Sequence, residues 1–109
     1  MDREILKIIR NSILDVAERY NIEIDRIILF GSRARGDHRE DSDWDILIIV
    51  RDFYGKRVLD DFWLDVKRKL VGEGIISEIL VVDREKYERY RHLTGFVYYW
   101  AEKEGILVT

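Results

Sequence analysis

Hydrophobic positions follow two different spacings along the chain, and each spacing predicts a type of element. Apolar residues recur at three- and four-residue steps over residues 2–20 and 56–71, which is typical of helices with one buried face. Apolar and β-branched runs over 24–30, 44–50 and 75–82 predict strands. Two shorter helices are predicted, over 84 to about 91 and over 95–104, and 106–108 predicts a short edge strand.

Polar residues mark where several of these elements begin. Asp2, Asp83 and Thr94 each precede a helical segment, and their side-chain oxygens can cap its first turn. The run 44–50 is apolar throughout, which indicates a strand covered by helices on both faces. The element order predicts an α/β fold with a small mixed sheet packed against helices, as a single domain over residues 1–109.

Composition and charge exclude several classes of function. The chain has no cysteine, so disulfides, thiolate catalysis and cysteine-ligated metal sites are excluded. Its net charge of -3 does not favour non-specific binding to nucleic acid. No apolar run approaches the roughly 20 residues of a membrane span, and the charged start of the chain is unlike a signal peptide. We therefore expect a cytoplasmic protein.

The segment over residues 30–45, FGSRARGDHREDSDWD, carries the candidate chemistry. Gly31 and Ser32 follow the first predicted strand, where glycine permits a tight turn and a close backbone approach. The N–H groups of a short helical turn beginning at Ser32, together with its hydroxyl, suit a phosphate group. The alternative is that Ser32 only caps this turn.

Asp43 and Asp45 lie two positions apart at the start of the second predicted strand. In a strand their side chains point to the same face, with Cα atoms roughly 6.5–7 Å apart. Two such carboxylates can share hard cations such as Mg²⁺. The alternative is a pair of solvated acids at a strand end.

Glu78 is the third candidate, because it lies inside the predicted strand 75–82. A charged side chain is costly to bury there without a partner. If this strand neighbours the one that carries Asp43 and Asp45, Glu78 can complete a set of three carboxylates. The alternative is an edge-strand residue that faces water.

These motifs together resemble a known family. Gly31-Ser32, ten further residues and then Asp43-x-Asp45 resemble the motif of the DNA polymerase β-like nucleotidyltransferase superfamily, and the fuller segment resembles its minimal nucleotidyltransferases. Residues 77–87 and 103–108 resemble the family's third-carboxylate strand and its C-terminal end. The likeness spans nearly the whole chain and implies the polymerase β-like nucleotidyltransferase fold.

The resemblance implies transfer of a nucleoside monophosphate, AMP from ATP, to a hydroxyl group with two Mg²⁺ ions. The implied catalytic residues and metal ligands are Asp43, Asp45 and Glu78, and the implied nucleotide-binding residues are Gly31, Ser32, Arg33 and Arg35. An alternative for the two arginines is ion pairing with Asp37, Glu40 or Asp41. The family usually has Asp where this chain has Glu78, and the side chain of Glu is longer by roughly 1.5 Å, which alters ligand geometry.

The resemblance also implies a partner. Minimal nucleotidyltransferases are commonly encoded beside a small all-helical HEPN protein, and the pair can act as a toxin–antitoxin system. The implied acceptor is a tyrosine of that partner, with this chain as the antitoxin. The alternatives are a non-catalytic module that binds nucleotide or neutralises a partner, and a small-molecule nucleotidyltransferase. The aromatic segment 96–100 predicts either sheet packing by Phe96 and Trp100 or an exposed protein interface.

Overall fold

The computed structural model describes residues 3–109, and its helices and strands follow the predicted order. The helices are α1 (Arg3–Arg19), α2 (Gly31–Arg35), α3 (Lys56–Gly72), α4 (Arg84–Tyr90) and α5 (Val97–Glu104). The strands are β1 (Ile24–Phe30), β2 (Trp44–Val50), β3 (Ser77–Asp83) and β4 (Ile106–Leu107).

The four strands form one mixed sheet in the order β3-β2-β1-β4, which confirms the predicted fold class. Strand β2 pairs antiparallel with β1 and parallel with β3, while β4 pairs antiparallel with β1. Helix α3 connects the two parallel strands, as a parallel pair requires. Strand β3 therefore occupies one edge of the sheet.

Helices cover both faces of the sheet. Ile46, Ile48 and Val50 point into a core cluster that includes residues of α1 and α3. Leu47 and Ile49 point the opposite way, into a second cluster that includes Tyr87 of α4 and Ala101 of α5. This alternation gives three layers and confirms that β2 is buried on both faces.

Some predicted boundaries shift by one or two residues. Helix α2 begins at Gly31 rather than Ser32. Strand β3 begins at Ser77 rather than at residue 75, because the Ile75 N–H donates a hydrogen bond back to Leu70 O at the end of α3 (2.8 Å). Asp83 caps α4 as predicted, since its side chain accepts a hydrogen bond from the Lys86 N–H at 2.9 Å.

Two cap predictions have other outcomes. The cap predicted for Asp2 lies outside the described residues. The cap predicted for Thr94 is wrong, because residues 93–96 form a turn and Phe96 is the N-cap of α5. Thr94 instead accepts a hydrogen bond at its carbonyl oxygen from the Trp100 indole N–H, at 2.9 Å.

Helix α5 contacts the sheet through Ala101 and Tyr98 rather than through Trp100. Ala101 is fully buried and Tyr98 packs against the same cluster. Phe96 and Trp100 are 39% and 43% exposed, so the predicted packing of this pair on the sheet is wrong. Within residues 3–109, no helix is both long and apolar enough to cross a membrane.

Candidate active site

The strand register brings Asp45 and Glu78 side by side. Asp45 is paired with Glu78 across the parallel β2–β3 ladder, and with Phe30 across the antiparallel β1–β2 ladder. Neighbouring strands lie about 4.8 Å apart, and residues in register point to the same face of a sheet. Both carboxylates therefore lie on the face covered by α4 and α5, at the end of the sheet where β1 finishes.

The charges at this end of the sheet act on one another. Asp45 is half-buried, whereas Asp43 and Glu78 are exposed. Burial raises the pKa of the Asp45 carboxyl group, and the negative charges of Glu78 and then Asp43 raise that pKa further. The Arg35 guanidinium opposes the rise. A bound cation would relieve the repulsion among these carboxylates.

The chemistry of the donor set fits Mg²⁺, which prefers carboxylate oxygens. Asp43, Asp45 and Glu78 supply only such oxygens, and after burial the negative charges of Glu78 and Asp43 raise the pKa of Asp45. As their side chains stand, residues 3–109 hold no group of three His, Asp or Glu side chains spaced to grip a metal ion. Holding one would require rotation of the exposed side chains.

Gly31 lies against the Asp45 carboxylate, at the point where β1 ends and α2 begins. Its φ of 72° lies in the left-handed region, and Phe30 before it is extended. A Cβ at Gly31 would collide with Asp45 Oδ2 and lie 3.0 Å from Asp45 Cγ. Only glycine lets the backbone of the turn approach the carboxylate this closely.

Ser32 lies within the first turn of α2 rather than before it. The N-cap is Phe30, whose side chain makes no capping hydrogen bond, so the prediction that Ser32 merely caps the turn is wrong. The Gly36 N–H donates to Ser32 O at 2.9 Å and ends the helix in a left-handed conformation. The first-turn N–H groups thus have no side-chain cap.

Arg33 holds the loop before β2 against this turn. Its Nε and Nη2 atoms donate to Ser42 O at 3.2 and 2.8 Å, and Nη2 also donates to Glu40 O at 2.9 Å. The guanidinium lies 4.5 Å from the centre of the Trp44 ring. Arg33 therefore binds backbone carbonyls of the loop that leads to Asp43, instead of the acidic side chains considered from sequence.

Arg35 is held by two carboxylates. Its Nε atom lies 3.3 Å from Asp37 Oδ2, and its Nη1 atom lies 3.3 Å from Glu104 Oε2. Asp37 first, and Glu104 after it, raise the pKa of the guanidinium. Sequence reasoning identified Asp37 as a possible partner but missed Glu104, because no local pattern connects positions 69 residues apart.

The chain is similar to a known protein family and to two curated proteins. The family model described as polymerase beta, nucleotidyltransferase, matches residues 11–93. The candidate protein adenylyltransferase MJ0604 of Methanocaldococcus jannaschii is 35% identical over 85 residues, which cover 76% of this chain and 78% of that protein. The candidate protein adenylyltransferase MJ0141 of the same organism is 47% identical over 49 residues, covering 45% of this chain but only half of that protein.

Two solved structures share the fold. A candidate minimal nucleotidyltransferase superposes with a TM-score of 0.60 and 28% identity, covering 97% of this chain and 95% of that chain. A toxin–antitoxin structure determined with AMP-PNP superposes with a TM-score of 0.56 and 17% identity, covering 91% of this chain and 71% of that chain. The second likeness concerns the fold alone.

Proposed function

Because this chain belongs to the polymerase β nucleotidyltransferase family, we propose that it transfers AMP from ATP to a hydroxyl group. The observation that carries the proposal is the register of Asp45 and Glu78, which lie in line on adjacent strands next to the Gly31 turn. The choice of AMP is supported by two relatives whose names describe protein adenylyltransferases.

Three carboxylates form the catalytic side of the proposed site. Asp43, Asp45 and Glu78 would hold two Mg²⁺ ions, which would neutralise phosphate charge and lower the pKa of the acceptor hydroxyl. Asp45 lies in β2 and is half-buried, so its position is the best defined of the three. Asp43 and Glu78 are exposed, so their side chains are free to rotate toward Asp45.

The turn between β1 and α2 forms the phosphate side. The backbone at Gly31 and the hydroxyl of Ser32 hold the β- and γ-phosphates, and Arg35 adds positive charge beside Asp45. The acceptor hydroxyl gives up its proton to solvent as its oxygen forms a bond to the α-phosphorus, while the bond from that phosphorus to the oxygen bridging it to the β-phosphate breaks and pyrophosphate leaves. Because Gly31 lies against Asp45, the proposed phosphate-binding backbone and a proposed metal ligand are next to each other.

We further propose that the acceptor is a tyrosine of a small all-helical HEPN-type partner, and that this chain acts as its antitoxin. The fold shared with a toxin–antitoxin structure supports this proposal. So does the exposure of Phe96, Val97 and Trp100, which offers an apolar surface on α5.

The direct test is labelling of the co-expressed partner with ATP that carries a radioactive α-phosphate, in the presence of Mg²⁺. We expect labelling by the wild type and none by Asp43→Ala or Asp45→Ala. Asp41→Ala, an exposed acid in the same loop, is the matched control and should label normally. Absence of labelling by the wild type, or full labelling by Asp45→Ala, would contradict the proposal.

A second candidate is neutralisation of the partner by contact alone. The specific observation in its favour is that the three carboxylates, as their side chains stand, form no metal-holding group. This function predicts that the double variant Asp43→Ala/Asp45→Ala still protects cells from the partner. Loss of protection in that variant, with unfolding unchanged, would rule it out.

A further inference from the structure

Arg35 and Glu104 form a contact between two helices that are far apart in sequence. Arg35 is the last residue of α2, and Glu104 is the last residue of α5. Their side chains meet at 3.3 Å, with 44% of the Arg35 side chain and 35% of the Glu104 side chain exposed. An ion pair this exposed contributes little to the free energy of unfolding, so we consider its effect on the orientation of Arg35.

The position of Glu104 is fixed by the residue that follows it. A Cβ at Gly105 would collide with Ala101 O and Ile28 Cγ2, so the end of α5 lies directly on β1. Strand β4 then pairs with β1, with Ile106 opposite Leu29. Glu104 is therefore held in place relative to β1, the strand that leads into Gly31.

This arrangement restrains the Arg35 guanidinium through two carboxylates. Asp37 contacts Nε and Glu104 contacts Nη1, so two of the three nitrogens are occupied. Among the contacts of residues 3–109, none engages Nη2. An arginine already restrained in this way loses less side-chain freedom when its remaining donors bind an anion.

We propose that Glu104 is a positioning residue for the nucleotide, which acts by orienting Arg35 so that Nη2 faces the triphosphate. This inference rests on the proposed transfer of AMP from ATP. Under this proposal, α5 contributes to ATP affinity although it carries none of the residues of the segment 30–45. The two arginines are also distinguished by their partners, because Arg33 donates to backbone carbonyls whereas Arg35 contacts the carboxylates of Asp37 and Glu104.

The test is the dissociation constant of α,β-methylene ATP with Mg²⁺, measured by calorimetry, since that analogue cannot break the bond used in transfer. We expect Glu104→Ala to weaken binding about three- to tenfold, because Arg35 then keeps only its contact with Asp37 and loses more side-chain freedom when it binds the anion. Glu104→Gln keeps an acceptor oxygen for Nη1 and should bind within about twofold of the wild type. The matched control is Glu102→Ala, which removes the carboxylate that pairs with Arg91 at 3.0 Å on the same helix.

A double-mutant cycle distinguishes positioning from a general structural role. In an Arg35→Ala background, Glu104→Ala should have no further effect on the dissociation constant, while kcat changes little in Glu104→Ala alone. An equal loss in both backgrounds, unchanged binding in Glu104→Ala, or tighter binding in Glu104→Gln would overturn the inference. Failure of the wild type to bind the analogue would instead refute the proposed function.

Discussion

The Asp45 carboxylate lies against the α-carbon of Gly31, in space that any side chain at Gly31 would occupy. This contact links the turn after β1 to the first residues of β2, so the phosphate side and the carboxylate side of the candidate site form one unit. A substitution at Gly31 must therefore affect both sides at once.

Gly31→Ala should destabilise the protein more than Gly36→Ala. Both glycines have positive φ, 72° and 84°, so both substitutions carry a conformational cost of about 1 kcal/mol. Only Gly31 has a neighbour in the way, whereas a Cβ at Gly36 meets nothing within 4 Å. We expect an extra loss of about 1–3 kcal/mol for Gly31→Ala, measured by guanidinium unfolding, together with loss of transfer. Equal losses in the two variants would show that the contact with Asp45 is unimportant.

Asp45→Asn should stabilise the protein near neutral pH while it abolishes transfer. Burial and the neighbouring carboxylates raise the pKa of Asp45 in the folded state above its ordinary value of 3.8. The folded state then binds more protons than the unfolded state between these two values, so stability falls as pH rises through that interval. The neutral amide avoids this loss, so we expect a higher melting temperature at pH 7, measured by thermal unfolding.

The pH dependence checks the origin of that gain. The advantage of Asp45→Asn should shrink as the pH is lowered toward 3.8, because the carboxyl group of the wild type then takes up a proton increasingly. Asp43→Asn, at an exposed position outside β2, should gain less. A gain that does not depend on pH would point to packing rather than charge.

Glu78→Gln should lower the pKa of Asp45, because the charge of Glu78 is the largest influence on that carboxyl group after burial. The measurement is an NMR titration of the Asp45 carboxyl carbon, which requires neither metal nor nucleotide. We also expect transfer to fall by at least about tenfold if Glu78 helps to hold the ions. Glu85→Gln, an exposed acid of α4 paired with Arg89, is the control and should change neither quantity. An unchanged pKa of Asp45 in Glu78→Gln would show that the two side chains point apart.

Trp63→Phe should expose the edge of the sheet. The Trp63 indole N–H donates to Ile79 O at 2.8 Å, and the Lys67 ammonium donates to Ser77 O, so side chains of α3 cover two carbonyls of edge strand β3. Loss of the indole N–H should cost about 1 kcal/mol in unfolding free energy and increase self-association, measured by sedimentation.

Trp100→Phe is the matched control for this substitution. Its indole N–H donates to Thr94 O at 2.9 Å, in an exposed turn rather than on the sheet. We expect a smaller loss of stability and no change in association state. If both variants behave alike, the coverage of β3 by α3 has no protective role.

Much of the fold follows from local patterns in the sequence. The spacing of apolar residues predicted each helix and strand to within a few residues, because both periods depend only on near neighbours along the chain. Errors arose where two local signals competed. Thr94 has the chemistry of a cap, but the turn over residues 93–96 delays α5 until Val97. At the other short helix, the positive φ of Gly31 lets α2 begin one residue before Ser32.

Some features of the candidate site also follow from the sequence alone, whereas others depend on the tertiary structure. The spacing from Gly31 to Asp45 is a property of the sequence, and so is the choice of oxygen ligands. Tertiary structure alone decided that Glu78 stands in register with Asp45, that Arg35 meets Glu104, and that Phe96 remains exposed while Ala101 is buried. Strand register and helix orientation depend on how segments far apart in sequence bury their apolar faces together, which no local pattern records.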